Sequence, residues 1–211
     1  NFFVFKPVKL PDKEAQEEAL NALESLSLIE NYDINIPEEP FYLDLELQIE
    51  ATLKNLPSII TFHLGIPSID IIKKIQSFGI KVGITATNII EAKNIENVGA
   101  DFIVAQGFEA GGHRGIFDQE NIDEKITLDN LLIKILENVS LPVIAAGGIM
   151  KGKHIKRVIN IGAKAAQLGT AFLTCPEAGT SYIHKHYLLN EQQRKTKITK
   201  AFSGRMARGI N

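Results

Sequence analysis

The sequence predicts an α/β protein whose parallel sheet is covered by helices. Short apolar runs alternate regularly with longer amphipathic stretches along the chain. The runs are apolar on both faces, as strands buried between helical layers are. About six such runs can be counted. With 211 residues, 45% of them hydrophobic, the chain can bury one sizeable core, and one domain over residues 1–211 is expected.

The elements follow in order. Residues 2–5 (Phe2, Phe3, Val4, Phe5) are the first strand-like run. Residues 11–29 carry Ala15, Ala19, Leu20, Leu23 and Leu26 at helical spacing, and residues 38–56 also read as a helix. A buried strand over 59–64 ends at Gly65. A helix over 68–78 starts at Ser68 as N-cap and shows Ile69, Ile72, Ile75 and Phe78 as its apolar stripe. A strand over 81–86 precedes a helix over 89–98 that Gly99 closes. A strand over 101–106 runs into a long glycine-rich loop. A helix over 127–139, a strand over 142–146, a helix over 154–161 ended by Gly162, and a strand over 165–169 complete the rhythm.

A closed β/α barrel needs eight strands. The pattern alone fits either a doubly wound open sheet or a barrel short of one quarter. Bulk properties bear on partners. The net charge of −2 gives no broad field for nucleic acid. No run of about 18 apolar residues suggests a membrane helix. The opening residues lack Met, do not resemble a signal peptide, and read as the middle of a strand. The one cysteine, Cys175, has no internal disulfide partner, which fits a reducing, cytoplasmic setting.

Three strand-to-loop junctions concentrate the chemistry. The first is Gln106-Gly107-Phe108-Glu109-Ala110-Gly111-Gly112-His113-Arg114-Gly115. Its four glycines let backbone approach a ligand closely. An imidazole held there can act as a base near neutral pH. The second is Ala145-Ala146-Gly147-Gly148-Ile149, where free N–H groups before a helix suit an anion. The third is Gln167-Leu168-Gly169-Thr170. The last two end consecutive strands, and in barrels the loops after the last two strands commonly hold a phosphate. A phosphorylated cofactor is therefore expected. Neither a dinucleotide fingerprint nor a Walker loop occurs.

These strings, together with Ala201-Phe202-Ser203-Gly204-Arg205-Met206-Ala207-Arg208-Gly209, resemble the nitronate monooxygenases, in the same order and essentially from end to end. The resemblance implies a (β/α)8 TIM barrel binding FMN non-covalently. The six strands then correspond to strands three to eight, with the first two missing and the carboxyl end also stopping early. It implies that Asn1, Gln106 and Gly111 contact the flavin. Gly148, Gln167, Leu168, Gly169 and Thr170 would hold its phosphate end, mostly through backbone N–H groups. His113 matches the catalytic histidine, which takes the α-proton of a nitroalkane or positions a nitronate. The implied reaction joins an alkyl nitronate with O2 to give a carbonyl compound and nitrite.

Two rival functions stand beside this one. An FMN-dependent enoyl-acyl-carrier-protein reductase has a similar loop and needs a nicotinamide donor. A truncated, inactive flavin-binding protein is the non-enzymatic alternative. Other candidates read more simply. His63, near a strand's end, can face the pocket but reads more simply as a packed or capped histidine; His154 belongs to a solvated basic helix start; Glu109 can be a second acid/base group but reads more simply as a loop carboxylate bonded to neighbouring N–H groups. His184 and His186 are badly spaced for one helical metal face, so no metal is assigned. Cys175 reads as structural.

Overall fold

The structure is a computed structural model that describes residues 1–6, 10–26, 38–190 and 195–210. Its strands are β1 (Phe2–Phe3), β2 (Ile59–His63), β3 (Lys81–Ala86), β4 (Phe102–Gln106), β5 (Gly112–His113), β6 (Val143–Ala146), β7 (Ala165–Gln167), β8 (Thr196–Thr199) and β9 (Ala207–Ile210). Its helices are α1 (Lys13–Leu26), α2 (Leu45–Leu53), α3 (Ile69–Ser77), α4 (Ile89–Asn97), α5 (Leu128–Leu136), α6 (Gly152–Ile161) and α7 (Tyr182–Leu189), with a 3-10 turn at Thr170–Thr174.

Six strands form one parallel sheet in the order β1-β2-β3-β4-β6-β7. The order advances in one direction and never reverses. A doubly wound sheet has a reversal at its switch point, and none exists among the described residues. Because β/α crossovers are right-handed, a one-way order puts the connecting helices on a single face. The result is a partial barrel wall, with β1 and β7 each paired on one side among the described residues.

Alternation along the strands separates the two faces. Ile60, Phe62, Val82, Ile84, Ile103, Ala105, Val143 and Ala145 pack against Ile72 and Ile75 of α3, Ile95 of α4, and Leu131, Leu132 and Ile135 of α5. A fully buried side chain such as Ile75 or Ile84 contributes roughly 1.5–3 kcal/mol of transfer free energy. The opposite face is apolar only low down, where Phe102, Val104, Ala146 and Ile144 cluster. The Phe102 ring lies over Gly83, where a Cβ would come within 2.1 Å of it. Nearer the strand ends this face carries Thr61, His63, Thr85, Gln106 and Gln167. The expectation that strands are apolar on both faces therefore holds throughout the helix side and, on the opposite face, only low down.

The helix ends follow local chemistry. Ser68 Oγ accepts from the Ile71 N–H at the start of α3, and Asn88 Oδ1 accepts from the Glu91 N–H at the start of α4. Gly79 and Gly99 end those helices at φ +75° and +78°, a conformation glycine takes without steric cost. The helix predicted over 38–56 is shorter. It starts at Leu45, where Asp44 caps it by accepting from the Leu47 N–H. Pro40 disfavours helical backbone at Glu39 and so opposes an earlier start. Of the helix predicted over 11–29, residues 27–29 lie outside the described residues. The strand predicted over 165–169 ends at Gln167, and the chain then turns into the 3-10 segment. No described helix is long and apolar enough to cross a membrane.

One feature is absent from the sequence reading. A second, antiparallel sheet has the order β5-β9-β8. It pairs Gly112 with Arg208 and His113 with Ala207, so the late hairpin β8–β9 is zipped onto the glycine loop that follows β4.

Candidate active site

The glycine loop is anchored at its base. A Cβ on Gly107 would meet the Leu128 Cβ at 2.5 Å, so glycine is what lets the loop rest on the start of α5. Thr127, at the N-cap of α5, makes no side-chain cap bond. Glu109 does that work instead: its Oε2 accepts from the Leu128 N–H at 2.9 Å. A carboxylate suits a helix N-terminus. Glu109 is thus held as a cap, in line with the simpler reading of it.

Behind the loop lies a buried polar network. Arg114 is 0% exposed. Its Nε and Nη2 donate to Asp123 Oδ2 and Oδ1 at 2.8 and 3.1 Å, a bidentate ion pair. Its Nη1 donates to Gln106 Oε1 and to the Gly107 carbonyl, each at 3.0 Å. Burial pushes the Asp123 carboxyl upward, but hydrogen bonds from Arg114 and the Lys125 N–H, with the Arg114 charge, hold it below its ordinary value. Gln106 Oε1 also accepts from the Gly115 N–H at 2.8 Å, and Gln106 Nε2 donates to the His113 carbonyl at 2.9 Å.

His113 is held at both ends. Its carbonyl also lies 3.3 Å from His63 Nε2. Its ring Nε2 is 2.6 Å from Ser203 Oγ, in the turn between β8 and β9. The Phe3 ring centroid is 6.3 Å from that of His113 and 5.8 Å from that of His63. Burial lowers the His63 pKa to about 4, and the nearby His113 and Arg114 charges lower it too, against a raising effect from the His113 carbonyl. His63 is therefore neutral at pH 7. A Cβ on Gly115 would come within 2.8 Å of His63 Cε1, which fixes the imidazole against the loop.

Two adjoining cavities open at the carboxyl ends of the strands. The smaller, about 210 Å³, is lined by Asn1, Thr61, His63, Gln106, His113 and Gln167 among others. The larger, about 1080 Å³, is lined by Gly111, Gly147, Gly148, Gly169, Thr170 and Arg208 among others. They share Gln106, Gly111, Ala146 and Gln167. Of the residues singled out in the sequence, Asn1, Gln106, Gly111, His113, Gly148, Gln167, Gly169 and Thr170 line this space. Leu168 does not; its side chain packs against the helix-side core. Asn1 Oδ1 accepts from Thr61 Oγ1 at 3.0 Å. Gly148 takes φ +66°, and a Cβ there would meet the Glu109 Cβ at 2.9 Å. Arg208 donates from Nη2 to the Phe108 carbonyl and from Nη1 to Thr196 Oγ1, while its buried Nε finds no acceptor among the described residues.

A profile of the nitronate monooxygenase family matches residues 1–211. The chain belongs to the nitronate monooxygenase family. It is 46% identical over 158 residues to the nitronate monooxygenase of Paraburkholderia phytofirmans, covering 75% of this chain and 43% of the relative. It is 39% identical over 182 residues to that of Pseudomonas aeruginosa, covering 86% and 50%. The chain spans about half the length of the curated relatives it matches. Among solved structures, nitroalkane oxidase from Streptomyces ansochromogenes superposes with a TM-score of 0.76 at 40% identity, over 79% of this chain and 48% of that one. FabK from Thermotoga maritima superposes with a TM-score of 0.67 at 26% identity, over 95% and 60%.

Sequence reasoning gave no role in this candidate site to Arg114, Asp123, Ser203 or Arg208. Arg114 stood in the glycine loop, but charge alone does not announce full burial. Ser203 and Arg208 sat in a family-like string without a partner to give them meaning.

Proposed function

We propose that the complete protein is an FMN-dependent nitronate monooxygenase that oxidises alkyl nitronates with O2 to a carbonyl compound and nitrite. The observation that carries this is family membership across residues 1–211, joined to a single histidine of the glycine loop at the mouth of the strand-end cavities. Residues 1–211 are read as one barrel domain of that enzyme.

The residues fit FMN. Gly169 lines the larger cavity with nothing within 4 Å of a Cβ built there, so the space beside it is open. The N–H groups of Gly169 and Thr170 suit a phosphate, because the first N–H groups of a helical turn have no partner within it, and Gly148 lines the same cavity. Gln167 completes that wall, while Leu168 faces the helix-side core. An unpaired buried Arg208 Nε in the same cavity also fits an anionic group. Asn1, Gln106 and Gly111 would lie along the flavin ring. FMN, when bound, supplies the electron transfer to O2.

The protein's own residues bind and handle protons. A ring nitrogen of His113 takes the α-proton from a neutral nitroalkane, whose C–H electron pair becomes the nitronate. His63, neutral, and Gln106 hold the His113 carbonyl. A preformed nitronate needs no base and only has to be positioned.

The test is nitrite release by purified full-length protein from a preformed nitronate in air, with its visible spectrum recorded first. Flavin absorbance and nitrite formation without NADH are expected. Strict dependence on NADH with an enoyl thioester substrate would overturn the assignment in favour of the reductase.

A further inference from the structure

We infer that Arg114, backed by Asp123, is a positioning residue that fixes His113 through the side-chain amide of Gln106. The inference rests on the reading of His113 as the base. Arg114 and Asp123 line neither cavity, so neither can touch a substrate there directly. Both are nonetheless buried, at 0% and 8% exposure. Burying a guanidinium costs free energy that its partners must offset, and an apolar side chain of similar volume would fill the space as well. What an apolar side chain cannot do is orient an amide.

The orientation follows from hydrogen-bond polarity. Two donors converge on Gln106 Oε1, Arg114 Nη1 at 3.0 Å and the Gly115 N–H at 2.8 Å. A flipped amide would set its NH2 group against both donors, so the flip is closed off. With Oε1 fixed, Nε2 is turned toward the His113 carbonyl, 2.9 Å away. Asp123 in turn holds the guanidinium plane by two parallel bonds and is itself held by the Lys125 N–H at 3.0 Å. The chain of contacts runs Asp123, Arg114, Gln106, His113. Without Arg114 the amide loses one of the two donors that set it, and the His113 backbone loses a fixed anchor. Gln106 is thereby committed to the loop by its oxygen and by one amide hydrogen, which leaves at most one hydrogen for a ligand.

Asp123→Asn and Gln106→Glu in the full-length holoenzyme test this. Asp123→Asn removes the charge that steadies Arg114. Gln106→Glu keeps an acceptor for Arg114 and Gly115 but turns a second oxygen on the His113 carbonyl, and it decides the matter if Asp123→Asn does not fold. The first readout is NMR of histidine-labelled protein, with the His113 signal identified by its loss in His113→Asn. The second is the ratio of kcat/KM for a neutral nitroalkane to that for its nitronate. The His113 signal should shift or broaden while those of His154, His184 and His186 stay. The ratio should fall roughly 10–100-fold, since a misplacement of about 1 Å can cost that much; Asp123→Asn, which lines neither cavity, should retain its flavin absorbance per chain, and Gln106→Glu is compared at equal flavin content. A merely structural role would lower both substrates together. An unmoved His113 signal, or a moved signal with the ratio intact, overturns the inference. If the wild-type protein releases no nitrite, the proposed function fails, and the NMR signal alone then decides the positioning link.

Discussion

Ser203 Oγ sits 2.6 Å from His113 Nε2, although 90 residues separate them in sequence. The β5–β9 pairing makes this contact possible. His113 stands opposite Ala207, and the Arg114 N–H donates to the Met206 carbonyl at 2.9 Å, so the turn carrying Ser203 falls over the imidazole.

Ser203→Ala should leave the fold and flavin content intact and lower turnover of a neutral nitroalkane. A net hydrogen bond is worth about 0.5–1.5 kcal/mol, which corresponds to roughly a 2–10-fold loss. Steady-state kinetics on the full-length protein measure it. Unchanged kcat would show that the contact orients nothing.

Gly148→Asp should abolish flavin retention. The backbone there is left-handed at φ +66°, and any Cβ would press on Glu109, the residue that caps α5. The new carboxylate would also stand where a phosphate is proposed to bind. Gly152→Ala is the control: nothing lies within 4 Å of its Cβ position, and alanine favours a helix. Flavin absorbance after gel filtration separates the two. A Gly148→Asp protein that keeps its flavin would refute the placement.

His63 should make stability fall as pH drops from about 6.5 to about 4. Its folded pKa, about 4, lies below the ordinary 6.5, so the unfolded chain takes up a proton first. Above 6.5 both states are neutral and the group contributes no slope. Between pH 7.5 and 5 the loss is on the order of 2 kcal/mol. Asp101 and Asp123, held below their ordinary values, act instead below about pH 3.8. Glu91, raised mainly by burial, works in the opposite sense above 4.5. The difference between wild type and His63→Gln, which keeps a donor for the His113 carbonyl, isolates the effect. Urea unfolding at the two pH values should show a flatter profile for the variant, and parallel profiles would rule the effect out.

The barrel rhythm was legible because its signals are local. Ser68, Gly99 and Gly162 mark helix ends within a few residues of the apolar stripes they bound. The second sheet was not legible. β5 is two residues long, and β8 and β9 carry Lys197, Arg208 and Gly209 rather than a clean alternation. Their pairing depends on a partner far away in sequence. The same limit applied to the site. His113 stood out because a glycine loop after a strand is a local pattern. Arg114, Asp123 and Ser203 take their meaning from contacts at sequence separations of 8, 9 and 90, in a setting where a charged residue is ordinarily read as solvated.

The last prediction concerns His113 itself. The α-carbon of a nitroalkane is acidic, but its proton leaves slowly without a positioned base. A nitronate has already lost that proton. Removing a general base typically costs about 10²–10⁴-fold in rate. His113→Asn in the full-length enzyme should therefore lose turnover of neutral nitroalkane by that factor and keep appreciable activity on preformed nitronate. Asparagine retains the backbone carbonyl that Gln106 and His63 hold, so the loop anchor survives and flavin should remain bound. Nitrite release from each substrate, at equal flavin content and without NADH, makes the comparison. Equal loss on both substrates would recast His113 as a group that binds the nitro function rather than one that takes its proton. The selective loss ties the imidazole to proton transfer, because the two substrates differ in that one proton and meet the same cavity.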